Sequence, residues 1–78
     1  MKNYFLKQFD YFDGEYDVKF NIIDINTEKM TINLAITHTG KIILTEYDLK
    51  RDKNNNLYFE YGIEFNKINI DDFEQIED

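Results

Sequence analysis

The chain has few side chains of the types that perform catalysis. It contains no Ser and no Cys, so two of the common nucleophiles are absent. Its one histidine, His38, falls at a hairpin end in the inward phase of a predicted strand, and no motif supplies the positioned partner that a general base needs. Three widely separated glycines cannot form a glycine-rich phosphate loop. We therefore expect a protein that is not an enzyme and holds no cofactor.

Carboxylates are abundant, but their spacing does not match a metal site. One group surrounds the first predicted turn and does not match a calcium loop, which has oxygen ligands at alternate positions and a glycine at the sixth. A second group, near the end of the sequence, has no ligand spacing either. We expect solvated acidic faces and no metal. The first group is Asp10, Asp13, Glu15 and Asp17, and the second is Asp71, Asp72 and Glu74.

The negative charge is concentrated in one part of the sequence. The net charge is −7 at pH 7, and the segment 60–78 holds seven acidic residues and one lysine, Lys67. The charge therefore favours a basic partner. The one basic cluster, Lys50-Arg51-Asp52-Lys53, is typical of a solvated loop tip. Because proteins that bind a nucleic acid backbone usually carry a basic stripe, we expect no direct contact with nucleic acid.

Length and composition predict one small β domain over residues 1–78. Ile, Val, Thr, Tyr and Phe make up 30 of the 78 residues, and these types suit a pleated, half-buried surface. The amino-terminal apolar stretch is too short for a signal peptide, and no apolar run exceeds three residues, so we expect a cytoplasmic protein without a membrane contact. The bias towards Ile, Asn and Lys is typical of AT-rich coding sequences, as in some bacteria and their phages and plasmids.

Alternating apolar residues and turn signals predict five strands. The fold class is therefore mostly β: a small antiparallel five-stranded meander or half-barrel, with at most one short C-terminal helical turn. SH3-like and OB-like shapes both remain open. A phase slip after Ile22 indicates a β-bulge. Asp72 with Gln75 resembles a capping box for the final turn, which we expect to be held by Phe73 and Ile76 packing onto the sheet. The predicted strands span 3–12, 15–25, 30–37, 41–49 and 57–65, with a hairpin turn at Thr39-Gly40 and a polar loop at 50–56.

The first two strands are predicted to join through a two-residue turn at Asp13-Gly14. This register places Phe9 opposite Val18 and Asp10 opposite Asp17, and the second pair is unfavourable because like charges oppose. The alternative is a helix over the first segment, with Phe5, Phe9 and Phe12 on its apolar face. We favour the hairpin.

Regularly spaced carboxylates suggest a function. In an extended chain, Asp13, Glu15 and Asp17 would repeat every ~6.6 Å, and Glu60 and Glu64 would share the outward face of their strand with Tyr58. Such a surface can imitate the phosphates of a nucleic acid. The leading hypothesis is an acidic inhibitor of phage or plasmid type that blocks a basic, nucleic-acid-binding host protein. The predicted contact residues are Tyr58, Glu60, Glu64, Asp71, Asp72 and Glu74, with Asp10, Asp13, Glu15 and Asp17 as a secondary acidic face.

Two alternatives remain. The first is a structural or assembly module that pairs its sheet edges with another chain, including a homodimer, because no proline interrupts an edge strand. The second is an OB-like binder of single-stranded nucleic acid that stacks bases on its aromatic residues. The negative charge argues against the second alternative.

Overall fold

Strands joined by short turns make up most of residues 7–75, which are the residues that the computed structural model describes. All strand pairs are antiparallel, so the mostly β, antiparallel prediction is confirmed. The strands are β1 (Lys7–Phe12), β2 (Asp17–Asn26), β3 (Thr31–His38), β4 (Lys41–Asp48), β5 (Lys50–Arg51), β6 (Leu57–Tyr61), β7 (Asn66–Asn69) and β8 (Glu74–Gln75).

The strands form two sheets, and this differs from the predicted five-stranded meander. The first sheet has the order β4-β3-β2-β1-β8, and the second has the order β5-β6-β7. The predicted fifth strand, 57–65, is shorter because the chain turns at Gly62, where φ is 83°, and returns as β7. The loop predicted at 50–56 begins with β5, which pairs with β6.

The first hairpin is present, but its predicted register is wrong. Tyr11 lies opposite Val18, and Asp10 lies opposite Lys19 instead of Asp17. The turn has four residues because the Asp13 carboxylate accepts hydrogen bonds from the backbone N–H groups of Glu15, at 2.9 Å, and Tyr16, at 2.7 Å. The like-charge pair is therefore absent. The described part of the first segment is a strand, as expected over the helical alternative; Phe5 lies outside the described residues.

The next two connections follow the sequence signals. The register of β2 against β3 shifts between Ile22 and Asp24, which confirms the predicted bulge and leaves Ile23 exposed. The β3–β4 turn consists of Thr39 and Gly40, both with positive φ (50° and 80°), as a two-residue hairpin requires.

The core lies between the two sheets. The inner faces of β2 and β3 contribute six buried apolar side chains, and the opposite layer contributes others from β6, β7 and the segment after β7. Phe59 connects the layers: its ring lies 5.5 Å from that of Phe20 and 5.3 Å from that of Tyr47. The buried apolar residues are Val18, Phe20, Ile22, Ile32, Leu34, Ile36, Leu49, Phe59, Ile68, Ile70 and Phe73.

A single 3₁₀ turn, Ile70–Asp72, leads into β8. The predicted capping box at Asp72 is wrong, because Asp72 is the last residue of the turn and not its first. Asn69 precedes the turn and makes no side-chain capping hydrogen bond. Phe73 is buried against Phe9, with ring centroids 5.5 Å apart, as expected of the residue that holds this segment on the sheet. Ile76, the other predicted contact, lies outside the described residues. Within residues 7–75 no helix is long and apolar enough to cross a membrane.

Candidate partner-binding surfaces

The outer face of the small sheet carries Tyr58 and Glu60, two of the predicted contact residues. Leu57, Phe59 and Tyr61 contribute to the core, so the alternate positions point outward. Glu60 forms an ion pair with Lys50, and the Lys67 ammonium lies 4.7 Å above the Tyr58 ring. Hydrogen bonding to Glu60 raises the pKa of Lys50. Two lysines therefore offset the negative charge on this face.

Asp52 organises the β5–β6 loop, and the sequence analysis gave it no role. Its carboxylate accepts hydrogen bonds from the backbone N–H groups of Asn54, at 2.9 Å, and Asn56, at 3.0 Å, and from Lys67 Nζ at 2.9 Å. The bond from Lys67, followed by the one from Asn56, lowers the pKa of Asp52. An Asp followed by several Asn residues in a loop is a signal for such a side-chain turn.

A shallow cavity between β1 and the chain leading into β8 brings together members of both predicted acidic groups. Asp10, Asp72 and Glu74 line this cavity of about 240 Å³, together with Gln8 and Phe9. The pairing of Gln8 with Glu74 explains the approach, since it adds β8 to the edge of β1. Among residues 7–75, none of these three carboxylates has an ion-pair partner. We call this set the β1–β8 acidic cavity.

A second cavity joins the β1–β2 loop to the β6–β7 loop. Asp13, Glu15 and Glu64 contribute to its lining, and the volume is about 340 Å³. Glu64 lies in the turn that follows Gly62, so the expectation that it shares a strand face with Glu60 is wrong. The side chains beside Glu64 in sequence are exposed, with Ile63 at 96% and Phe65 at 69%. We call this set the two-loop cavity.

The remaining predicted residues lie elsewhere. Asp71 lines a third cavity that also contains Lys7 and Arg51. Asp17 begins β2 opposite Phe12. Because residues 13–16 form a turn, the expected regular spacing of carboxylates along an extended strand is absent there. The predicted contact residues therefore occupy several separate places on the surface.

His38 is half-buried at the end of β3, as expected, and it has a partner that the sequence did not reveal. Its ring contacts Tyr16 edge-on, with centroids 5.2 Å apart, and its Nε2 lies 3.8 Å from Asp13 Oδ2. Hydrogen bonds from the backbone N–H groups of Tyr16 and Glu15 lower the pKa of Asp13, with a smaller contribution from His38. These contacts tie together the turns at 13–16 and 39–40.

Across the described residues, no group of three or more His, Cys, Asp or Glu side chains is placed to hold a metal ion.

The free edge of the first sheet is an apolar surface that the sequence analysis missed. β4 pairs with β3 on one side and has no strand partner on the other within residues 7–75. Ile42, Ile43 and Leu44 are exposed at 69%, 56% and 71%. A signal was present, since three successive apolar residues cannot all face the core from one strand.

Comparison with protein-family models, with curated proteins and with solved structures finds no match to this chain.

Proposed function

We propose that this chain is a non-catalytic, acidic binding protein that inhibits a nucleic-acid-binding host protein by occupying its basic groove. The host protein would supply lysine and arginine side chains that otherwise contact phosphates. The source would be a mobile element, such as a phage or plasmid, and the site of action the host cytoplasm.

The observation that supports this proposal best is the β1–β8 acidic cavity. Asp10, Asp72 and Glu74 converge there although Asp10 is more than sixty residues from the other two in sequence. Of the residues between 7 and 75, no lysine or arginine lines the cavity. A cationic side chain of a partner could therefore contact several carboxylates at once, without first displacing a lysine from any of them.

The two-loop cavity supplies a second contact of mixed character. Glu15 and Glu64 offer carboxylates, and the exposed Ile63 and Phe65 offer apolar surface beside them. Apolar and aromatic anchors contribute most of the energy in typical protein interfaces. Tyr58, the anchor expected from the sequence, already contacts Lys67, so Phe65 is the better candidate.

The test is an affinity capture from host lysate, eluted with a salt gradient and with double-stranded DNA. We expect the chain to retain a nucleic-acid-binding protein that moderate salt or DNA releases. The triple variant Asp10→Asn, Asp72→Asn, Glu74→Gln should weaken this binding by roughly tenfold or more, since each contact to a charged group contributes about 1.5–3 kcal/mol.

A matched control carries the same change in charge elsewhere. Asp24→Asn, Glu28→Gln and Asp48→Asn neutralise three exposed acidic residues that line none of the cavities described above. If both triple variants weaken binding equally, only net charge matters and the cavity has no specific role. Capture of a partner that neither salt nor DNA releases would contradict the proposal.

A further inference from the structure

The second sheet packs on the inner face of the first, so within residues 7–75 the outer face of β2, β3 and β4 is left uncovered. Ile32, Leu34 and Ile36 of β3 are buried in the core, and the alternate positions of the strand therefore face outward. These positions carry short, uncharged side chains, and β3 thus forms a low floor between its two neighbours. The floor residues are Thr31, Asn33, Ala35 and Thr37.

The neighbouring strands supply apolar walls on both sides of this floor. Residues paired across an antiparallel ladder share a face, which places Leu44 of β4 opposite Ala35 on the outer side, with Ile42 beyond it. From β2, the bulge residue Ile23 lines a cavity of about 340 Å³ together with Leu44 and Asn33. The backbones of β2 and β4 are two strand spacings apart, or about 9–10 Å. We call this floor and its walls the β3 trough.

The walls of the trough are apolar and exposed. Ile42 is 69% exposed, Leu44 71% and Ile23 39%. The solvated face of an antiparallel sheet usually carries polar side chains, as the rest of β3 does. An apolar set on such a face marks a docking surface.

Carboxylates flank one end of the trough. Asp24 and Glu46 both pair with Asn33, from opposite sides, so they lie across the floor from each other. Asp48 pairs with Thr31 two residues further along β4. Within residues 7–75, none of these three carboxylates has an ion-pair partner. The charge of the trough therefore complements an occupant that carries cationic groups beside an apolar stripe.

We propose that the β3 trough binds an amphipathic α-helix of a partner protein, whose apolar stripe is flanked by lysine or arginine. A helix with its side chains is about 10–12 Å across, close to the separation of the walls. Ile42 and Leu44 lie about 6.6 Å apart along β4, and helix residues four apart rise about 6 Å, so successive apolar side chains of the helix reach successive wall residues.

The lining of the trough favours a helix over an extended peptide. A helix satisfies its backbone hydrogen bonds internally, whereas an extended segment lying across side chains would leave its own unpaired. The lysine of β2, Lys19, lies opposite Thr37 at the end away from Asp24 and Glu46. The charges thus also orient the helix, with its basic residues over Asn33. This inference does not rest on the proposed function.

Isothermal titration calorimetry of the full chain with a defined peptide tests the proposal. The probe is a capped peptide of about 18 residues, whose helical length of about 27 Å matches the eight residues of β3. Leucines occupy one face of this helix, lysines flank them, and alanines fill the rest. A peptide of the same composition, with its leucines spread around the helix, is the control probe. We expect one-to-one binding of the amphipathic peptide, at least about tenfold tighter than binding of the control.

Removing the apolar wall tests the contact directly. Ile42→Thr with Leu44→Thr should weaken binding of the amphipathic peptide at least about tenfold, because two leucine-sized contacts are lost. Threonine suits an exposed strand position, so this variant should fold, and circular dichroism checks that it does. Phe12→Thr with Ile63→Thr is the matched control, since both residues are exposed and lie outside the trough. This control should bind the peptide as the wild type does.

Neutralising the flanking carboxylates tests the charge. Asp24→Asn with Glu46→Gln should weaken the binding and reduce its dependence on salt concentration, because amides do not attract lysine. Glu15→Gln with Glu64→Gln removes the same charge from two turns outside the trough and should leave the affinity unchanged. If both charge variants weaken the binding equally, only the net charge attracts the peptide and the proposal is wrong.

Nuclear magnetic resonance locates the peptide on the chain. The backbone amide signals of Asn33, Ala35 and Leu44 should shift most as peptide is added. Signals that shift chiefly around the β1–β8 acidic cavity would overturn the proposal, as would binding that Ile42→Thr with Leu44→Thr leaves intact. A concentration-dependent dimer that the same variant abolishes would also overturn it, because a second copy would then be the occupant.

The outcome is separable from that of the proposed function. The triple variant of the β1–β8 acidic cavity should still bind the peptide, although it should lose the captured host protein. Its charge-matched control, which neutralises Asp24 and Asp48, should behave in the opposite way. Failure of either proposal therefore leaves the other standing.

Discussion

Shortening Phe59 tests the packing of the two sheets, on which both proposed surfaces depend. Its side chain is 0% exposed and contacts rings from both layers. Phe59→Leu removes three buried carbons, and at ~0.8 kcal/mol for each the free energy of unfolding should fall by about 2.4 kcal/mol. Marginal stability of 0.05–0.15 kcal/mol per residue corresponds to about 4–12 kcal/mol for 78 residues. The variant should therefore fold, with a large fraction of its stability lost.

Urea denaturation followed by circular dichroism measures this change. With an m-value of about 1 kcal/mol/M, typical of small proteins, the midpoint should fall by roughly 2 M. Phe12→Leu is the matched control, because Phe12 is 61% exposed and the same change there should alter the stability by less than about 0.5 kcal/mol. If the two substitutions shift the midpoint equally, Phe59 does not connect the sheets and the two-layer arrangement is refuted.

Three further predictions concern turns. The pKa of Asp13 and that of Asp52 are lowered in the folded chain from the ordinary aspartate value of 3.8. Their contribution to stability should therefore be present above that value and disappear as the pH falls through the lower folded pKa. In an acid titration, the Asp52→Asn variant should lose less stability than the wild type. Thr39→Asn should raise the free energy of unfolding in urea by about 0.5–1 kcal/mol, because a β-branched residue at φ 50° is strained and Asn-Gly suits this turn. An unchanged free energy of unfolding would show that Thr39 is unstrained. Phe65→Asn should stabilise by a similar amount, since Phe65 has φ 54° and is exposed; a loss of stability would mean that its ring makes contacts in solution.

The sequence predicts local features of this fold well. Strict alternation from Met30 onward marks β3, Thr39-Gly40 marks the tightest turn, and the phase slip after Ile22 marks the bulge. Each signal depends on residues that are close together in the chain, where periodicity and turn preferences act directly.

Features that depend on distant contacts were not predictable in this way. Apolar and polar residues continue to alternate through Ile63 and Phe65, although the chain has already turned at Gly62. The sequence pattern therefore does not show that β6 ends at Tyr61. Acidic residues cluster in the segment 60–78, but folding pairs Glu60 of this segment with Lys50. It also pairs Lys67, the lysine of the segment, with Asp52 outside it. The β1–β8 acidic cavity forms only because the two ends of the described chain pair. The clustering of acidic residues in the sequence therefore predicted the sign of the charge better than the place where unpaired carboxylates meet on the fold.

The pairing of β8 with β1 also has a consequence for the order of folding. β1 to β4 form successive hairpins, each closing a short loop, whereas Lys7 and Gln75 are brought together from nearly opposite ends of the sequence. Closing a long loop costs more chain entropy, which the two residue pairs of β8 and the packing of Phe73 on Phe9 must offset. The hairpins should thus form early, with β8 docking as a late step and detaching first under stress. The acidic cavity would then assemble last, so the binding surface would be complete only in the fully folded chain.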